Sequence, residues 1–252
     1  MELLEYVLLA VAAFVAGAIN AVAGGGSLVS FPALVAAGYP AKVANITNTV
    51  ALWPGYVGGS IGYAAQLSGQ RRRILTLTVP SVLGAIVGSA ILLYTSEDAF
   101  EAIVPFLILF AAGLMVVQPR LGAFVARHRP DTRSDQTPFE VIAAVFVLAI
   151  YGAYFGAGLG ILTLAVLGIL LPDDLHRSNA LKGLLSAVMN AAAVVYFAIW
   201  GPVEWLPAAV MAVAALAGGY YGVGVARRFS AAHLRLAVIS YAVVVAIILL
   251  VR

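Results

Sequence analysis

Cysteine is absent from the 252 residues, which excludes disulfides, thiolate metal sites and a thiol nucleophile and leaves the redox compartment open. Charge is scarce: 10% of residues are Asp, Glu, Lys or Arg, against about 25% in a soluble domain. So few charges cannot cover a water-facing surface. No Asp, Glu or His falls in the middle of an apolar run, and His128, His176 and His233 lie in polar stretches or near run ends. Catalytic dyads, zinc sites and carboxylate proton relays therefore lack their parts. No catalytic residue, metal or cofactor is expected, and a cation pathway has no ring of acids to use.

What is abundant is apolar sequence, 63% of the chain. It comes in long runs at about 3–23, 27–38, 43–66, 74–95 and 98–118, then 139–156, 159–171, 178–200, 205–226 and 232–251. Runs of about 18 or more cross a bilayer core of roughly 30 Å as helices. Segment 27–38 would span only about 18 Å and suits a re-entrant half-helix. The pattern predicts an all-α polytopic membrane protein with about eight full transmembrane helices and a short half-helix after each glycine break. The start, MELLEYVLLA, carries acids where a signal peptide carries bases, and reads as a retained helix.

The second half repeats the first at an offset of 134 residues. Gly24 pairs with Gly158, Gly26 with Gly160, Asn45 with Asn179, Gly84 with Gly218, Gly88 with Gly222, and Ser96 with Ser230. Ser96 and Ser230 are each placed to cap the last helix of a unit. Apolar matches arise by chance in such a chain, but Gly, Asn and Ser in register over 70 positions do not. The units are 1–118 and 139–252, joined by a polar linker at 119–138.

Ten of the 14 basic residues fall in three stretches: Arg71, Arg72 and Arg73, the linker arginines, and Arg227, Arg228 and Arg235. The positive-inside rule puts these in the cytoplasm and the acidic ends near Glu2, Glu97 and Glu204 outside. Each unit then crosses an odd number of times, so the two face opposite ways, the inverted repeat of many secondary transporters.

Two motif pairs could carry chemistry. The first is Asn20 to Pro32, NAVAGGGSLVSFP, against FGAGLGILTL from Phe155 to Leu164. Gly24, Gly25 and Gly26 break a helix, and freed backbone groups at membrane depth are tolerated only inside protein or around a polar cavity. The N–H groups opening the next half-helix, at Gly26 and Ser27 and again at Gly158 and Gly160, would then face an anion. Close packing through small residues accounts for one such cluster. Two clusters, each before a short segment, favour a site.

The second pair is AKVANITNTVALWPG, Ala41 to Gly55, against HRSNALKGLLSAVMN, His176 to Asn190. Asn45 and Asn48 share a helix face, as do Asn179 and Lys182, and Thr49, Ser186 and Asn190 extend the stripes. Lys182 sits well inside an apolar helix, where an ammonium costs roughly 2.5–3.5 kcal/mol on the insertion scale, so a functional role is the default. Snorkelling toward the interface beside Arg177 is the competing reading. For the asparagines, interhelical hydrogen bonding and ligand contact stand level. Gly84/Gly88 and Gly218/Gly222 read as packing, and Trp53–Pro54 as a kink.

At AGGGSLVSFPAL, AKVANITNTVALWPG and SNALKGLLSAVMN the chain resembles the TauE/SafE family of sulfite exporters and related anion permeases, over nearly its whole length. The resemblance implies a multi-pass transporter that moves sulfite, sulfonates, sulfoacetate or similar sulfur-containing anions. Its functional positions fall at Gly24, Gly25, Gly26, Asn45, Thr47, Asn48, Asn179 and Lys182; Leu159 stands where the first cluster has Gly25.

The expectation is an anion transporter of the inner (plasma) membrane, working in the export direction. Its site lies at the repeat interface near the midplane, with Lys182 as the fixed charge and Ser27 among the donors. A channel-like pore for a small solute is the alternative. The expected partners are a small anionic substrate and the lipid bilayer, with no nucleic acid; a homo-oligomer is left open.

Overall fold

The computed structural model describes residues 3–22, 24–62, 64–127, 137–171, 173, 175–226 and 231–251. These form α1 (Leu3–Val22), α2 (Ser27–Ala36), α3 (Ala41–Gly62), α4 (Arg71–Tyr94), α5 (Glu97–Arg127), α6 (Phe139–Tyr154), α7 (Leu159–Leu170), α8 (Leu175–Trp200), α9 (Trp205–Ala226) and α10 (Ala231–Val251). A 3-10 turn at Ala64–Leu67 follows α3, and there is no strand among the described residues. An all-helical build follows from the solvent: inside lipid each backbone N–H and C=O must find its partner within the segment.

Four stretches are long and apolar enough to cross a membrane: Leu3–Asn20, Arg71–Tyr94, Glu97–Phe124 and His176–Trp200. The chain is a polytopic membrane protein. Its outer faces carry large apolar side chains that water would not tolerate in such number, among them Leu83, Phe106 and Val213, the last 73% exposed. By contrast α2 and α7 have 10 and 12 residues and are too short to span.

Helix α5 is longer than its apolar run predicted. It continues through Pro119 to Arg127, into the segment read as linker, because Leu121 still packs on the core. Residues 128–136, and Ser230 with the second cap, lie outside the described residues. Ser96 does cap α5: its hydroxyl accepts the Ala99 N–H at 3.3 Å. Helix α3 runs through Pro54 as one element.

The packing follows the 134-residue correspondence. Helix α1 packs on α9, and their counterparts α6 and α4 pack on each other. Likewise α3 on α9 mirrors α8 on α4, while α3 meets its own counterpart α8, and α5 meets α10. Trp53 Nε1 donates to the carbonyl of Ala187, its counterpart 134 residues on, at 3.2 Å. Glycines set these approaches. A Cβ on Gly84 or Gly88 would strike the carbonyls of Phe146 and Ile150 on α6, and one on Gly218 the carbonyl of Phe14 on α1. Gly222 lies outside the residues whose contacts are described.

One end of the bundle is tied by an ion cluster across the two halves. Arg73 Nη1 at the start of α4 meets Asp173 Oδ2 at 2.6 Å, and Arg177 Nε meets Asp173 Oδ1 at 2.9 Å. Arg177 Nη1 also donates to the Ser68 carbonyl at 3.0 Å. At another junction the Lys42 backbone N–H donates to Glu97 Oε1 at 2.8 Å, and Lys42 Nζ donates to the Thr95 carbonyl.

Candidate functional site

Both half-helices begin at a glycine break, and the breaks differ in detail. Gly24 and its counterpart Gly158 both take φ near +75°, at +73° and +77°. The first break adds Gly25 at +93°, one residue later, whereas the second adds Gly156 at +76°, two residues earlier. That shift explains why Leu159 can stand where the first copy has Gly25: the second left-handed position has moved upstream. Side chains then staple each break. Asn20 Oδ1 accepts the Gly26 N–H at 2.7 Å, and the Tyr151 hydroxyl donates to the Ala157 carbonyl at 2.6 Å.

Between the breaks and helices α3 and α8 lies a cavity of about 50 Å³. That is room for a few water molecules, at roughly 10–15 Å³ for each. Its wall is made by Asn20, Gly24, Gly25, Gly55, Tyr56 and Ser60 from the first half, and by Gly156, Leu159, Gly160, Asn179, Lys182, Gly183 and Ser186 from the second. Among the described residues no carboxylate lines it. The polar groups are amides, hydroxyls, backbone and one ammonium.

Of the residues expected from sequence, Gly24, Gly25, Gly160, Asn179 and Lys182 meet here. The side chain of Lys182 lies across Gly160, where a Cβ would sit 3.8 Å from Lys182 Cδ. Among the described residues, Lys182 has no ion pair and no hydrogen bond. The N–H of Gly160, in the first turn of α7, likewise has no partner among them, while Leu159 and Ile161 on either side bond to Gly156 and Gly158.

The other expected residues are placed differently. The Gly26 N–H is already taken by Asn20, and Gly26 is pressed against the Ala16 backbone. Ser27 opens α2 but is not among the residues lining the cavity. Asn45 is 1% exposed, and its Nδ2 donates to the Tyr154 carbonyl at 2.9 Å, closing the end of α6. Thr47 Oγ1 accepts the Glu204 N–H at 3.1 Å and ties α3 to the approach to α9. Asn48 is buried outside the cavity with Oδ1 unpartnered among the described residues. Gly158 turns the chain, packed against Leu114 and Ala111.

Sequence reasoning missed Tyr56 and Ser60. Their spacing of four on α3, after Gly55, was a usable signal of a polar face in the second half of that helix.

Residues 9–249 match the sequence profile of the family described as "Sulfite exporter TauE/SafE". The chain belongs to that family. Relatives are named as transporters. A "Probable membrane transporter protein ORF9" of a Sinorhizobium species is 29% identical over 249 residues, covering 96% of this chain and 89% of that protein. The "Probable membrane transporter protein YfcA" of Escherichia coli K12 is 27% identical, covering 83% and 76%. A "Probable membrane transporter protein" of Haemophilus influenzae is 27% identical, covering 83% and 80%. Family and relatives agree with the helical build in pointing to a membrane transporter.

Proposed function

We propose that the chain exports small oxyanions, sulfite and small sulfonates among them, across the inner (plasma) membrane, and that the substrate binds in the cavity between the two breaks. The observation that carries this reading is the Lys182 ammonium: it lies in a membrane-crossing helix, lines the cavity and has no anionic partner among the described residues. A charge in that position is costly unless something compensates it. A bound anion is the compensation the wall allows, since it offers no carboxylate. The free N–H of Gly160 and the amide of Asn179 supply further donors.

The reading includes two units of opposite orientation. The exchange of packing partners supports it, as does the chain direction where α4 meets α6: Gly84 faces Phe146 and Gly88 faces Ile150, so these helices run the same way. In an inverted pair α6 must oppose α1, which α4 also does after an odd number of crossings. Export of a monoanion down an interior-negative potential is favoured by about 2.3 kcal/mol per 100 mV, so no proton relay is required.

Replacing Lys182 by Met keeps the length of the side chain and removes its charge. The expected result is loss of sulfite flux in proteoliposomes, with helix content and thermal unfolding in detergent preserved. Undiminished flux from a folded K182M protein refutes the reading. Stimulation of flux by substrate on the far side identifies a carrier rather than an open pore.

A further inference from the structure

We propose that the Ser186 hydroxyl donates a hydrogen bond directly to the transported anion, as a second fixed contact one turn along α8 from Lys182. The inference rests on the cavity being the transport site. Ser186 lines that cavity and is 3% exposed, and its Oγ has no hydrogen-bond partner among the described residues.

That hydroxyl breaks a habit of this protein. Several buried helical hydroxyls here turn back to the carbonyl four residues earlier: Thr49 to Asn45 at 3.0 Å, Ser60 to Tyr56 at 2.9 Å, Ser81 to Leu77 at 2.8 Å and Thr163 to Leu159 at 2.9 Å. Such back-bonding satisfies the hydroxyl cheaply. The corresponding acceptor for Ser186 is the Lys182 carbonyl, on the same helix, and Ser186 does not use it. Instead the Ser186 carbonyl accepts the Asn190 amide at 2.8 Å, while the hydroxyl of this cavity-lining residue is left without a bond among the described residues. A buried hydroxyl without a bond is destabilising, and native structures keep few of them.

Being unpartnered is not sufficient by itself. Ser89 Oγ on α4 is also buried and unpartnered, but it does not line the cavity. What singles out Ser186 is the conjunction with Lys182, since residues four apart on a helix share a face. Two donors set one turn apart suit a ligand with at least two acceptor atoms. An oxyanion supplies one oxygen to the ammonium and another to the hydroxyl.

The test uses the full chain in proteoliposomes, with saturation curves for sulfite, methanesulfonate and acetate. For the anion that saturates wild type at the lowest concentration, Ser186→Ala should raise the half-saturating concentration about tenfold, the scale of a hydrogen bond to a charged group. Maximal flux should stay within about twofold, the signature of a contact made equally throughout the cycle. Ser89→Ala should change neither quantity. S186A should also unfold no earlier than wild type, because no internal bond is lost. An unchanged half-saturation in S186A while K182M abolishes flux overturns the Ser186 contact and leaves the site standing. Undiminished flux in K182M removes the site reading and this contact with it. Early unfolding of S186A overturns the contact too, since it shows that the hydroxyl is bonded within the protein.

Discussion

Replacing Gly26 and Gly160, one at a time, by alanine separates the two breaks by energy. The residues are counterparts in the 134-residue register, and sequence treats them alike. Their surroundings do not. At Gly26 a Cβ would overlap the backbone of Ala16, carbonyl and Cα together, and backbone cannot step aside as a flexible side chain can. Such overpacking costs about 1–3 kcal/mol. For a chain of this size each kcal/mol moves the unfolding midpoint by about 2–4 °C on the soluble-protein scale, so G26A should lose roughly 2–12 °C. At Gly160 the nearest atom would be Lys182 Cδ at 3.8 Å, an ordinary contact. Alanine is better than glycine inside a helix by up to about 1 kcal/mol, so G160A should match or exceed wild type in stability. Its effect should appear instead in transport, because the added methyl restricts the lysine and fills space over the free N–H. The assay is thermal unfolding in detergent beside anion flux in proteoliposomes. A G26A protein as stable as wild type, or a G160A protein as unstable as G26A, refutes the packing argument.

Two further outcomes follow from polar groups spent on the scaffold. Asp173→Asn should destabilise by about 3 kcal/mol or more, because it leaves the buried Arg73 guanidinium without its carboxylate; the pair is 7% and 6% exposed. Arg177→Gln should cost much less, since that side chain is 31% exposed, and thermal unfolding of the two variants checks the order. Asn45→Ala should lower stability by about 1–3 kcal/mol by uncapping the Tyr154 carbonyl, with the half-saturating anion concentration unchanged. A rise in half-saturation without loss of stability would place Asn45 in the site instead.

The helices were legible because lipid demands uninterrupted apolar runs, and, the far end of α5 apart, the run ends fall close to the helix ends. The first break was legible because three consecutive glycines have little other use inside a span, and the second because Gly158 and Gly160 repeat Gly24 and Gly26 at the 134-residue offset. Lys182 was legible for the same reason in reverse, as an expensive residue with no local excuse. What the sequence could not show is which neighbour a polar face meets. The three-residue spacing puts Asn45 and Asn48 on one face of α3, yet Asn45 closes the end of α6 and neither residue lines the cavity. Likewise the Gly26 N–H looked free because Asn20, six residues earlier, reaches it only after the chain has turned at Gly24 and Gly25. Helical spacing carries no information about a contact made across a break.

The distribution of polar residues argues that the two halves provide one cavity rather than two. The α8 wall of Asn179, Lys182 and Ser186 corresponds on α3 to Asn45, Asn48 and Leu52. In the first half none of these lines the cavity: Asn45 closes α6, Asn48 is buried with Oδ1 unpartnered among the described residues, and Leu52 is 2% exposed in the core. The α3 wall of Tyr56 and Ser60 corresponds to Asn190 and Val194 on α8, and Asn190 is spent on the Ser186 carbonyl. Of the counterparts of the cavity wall, Asn45 and Asn190 are therefore held by bonds within the protein and Leu52 by packing. An anion bound in the cavity would touch both halves, α1 and α3 from one and α7 and α8 from the other. A movement of either half against the other then changes its contacts, which is what coupling substrate binding to a rocking motion requires.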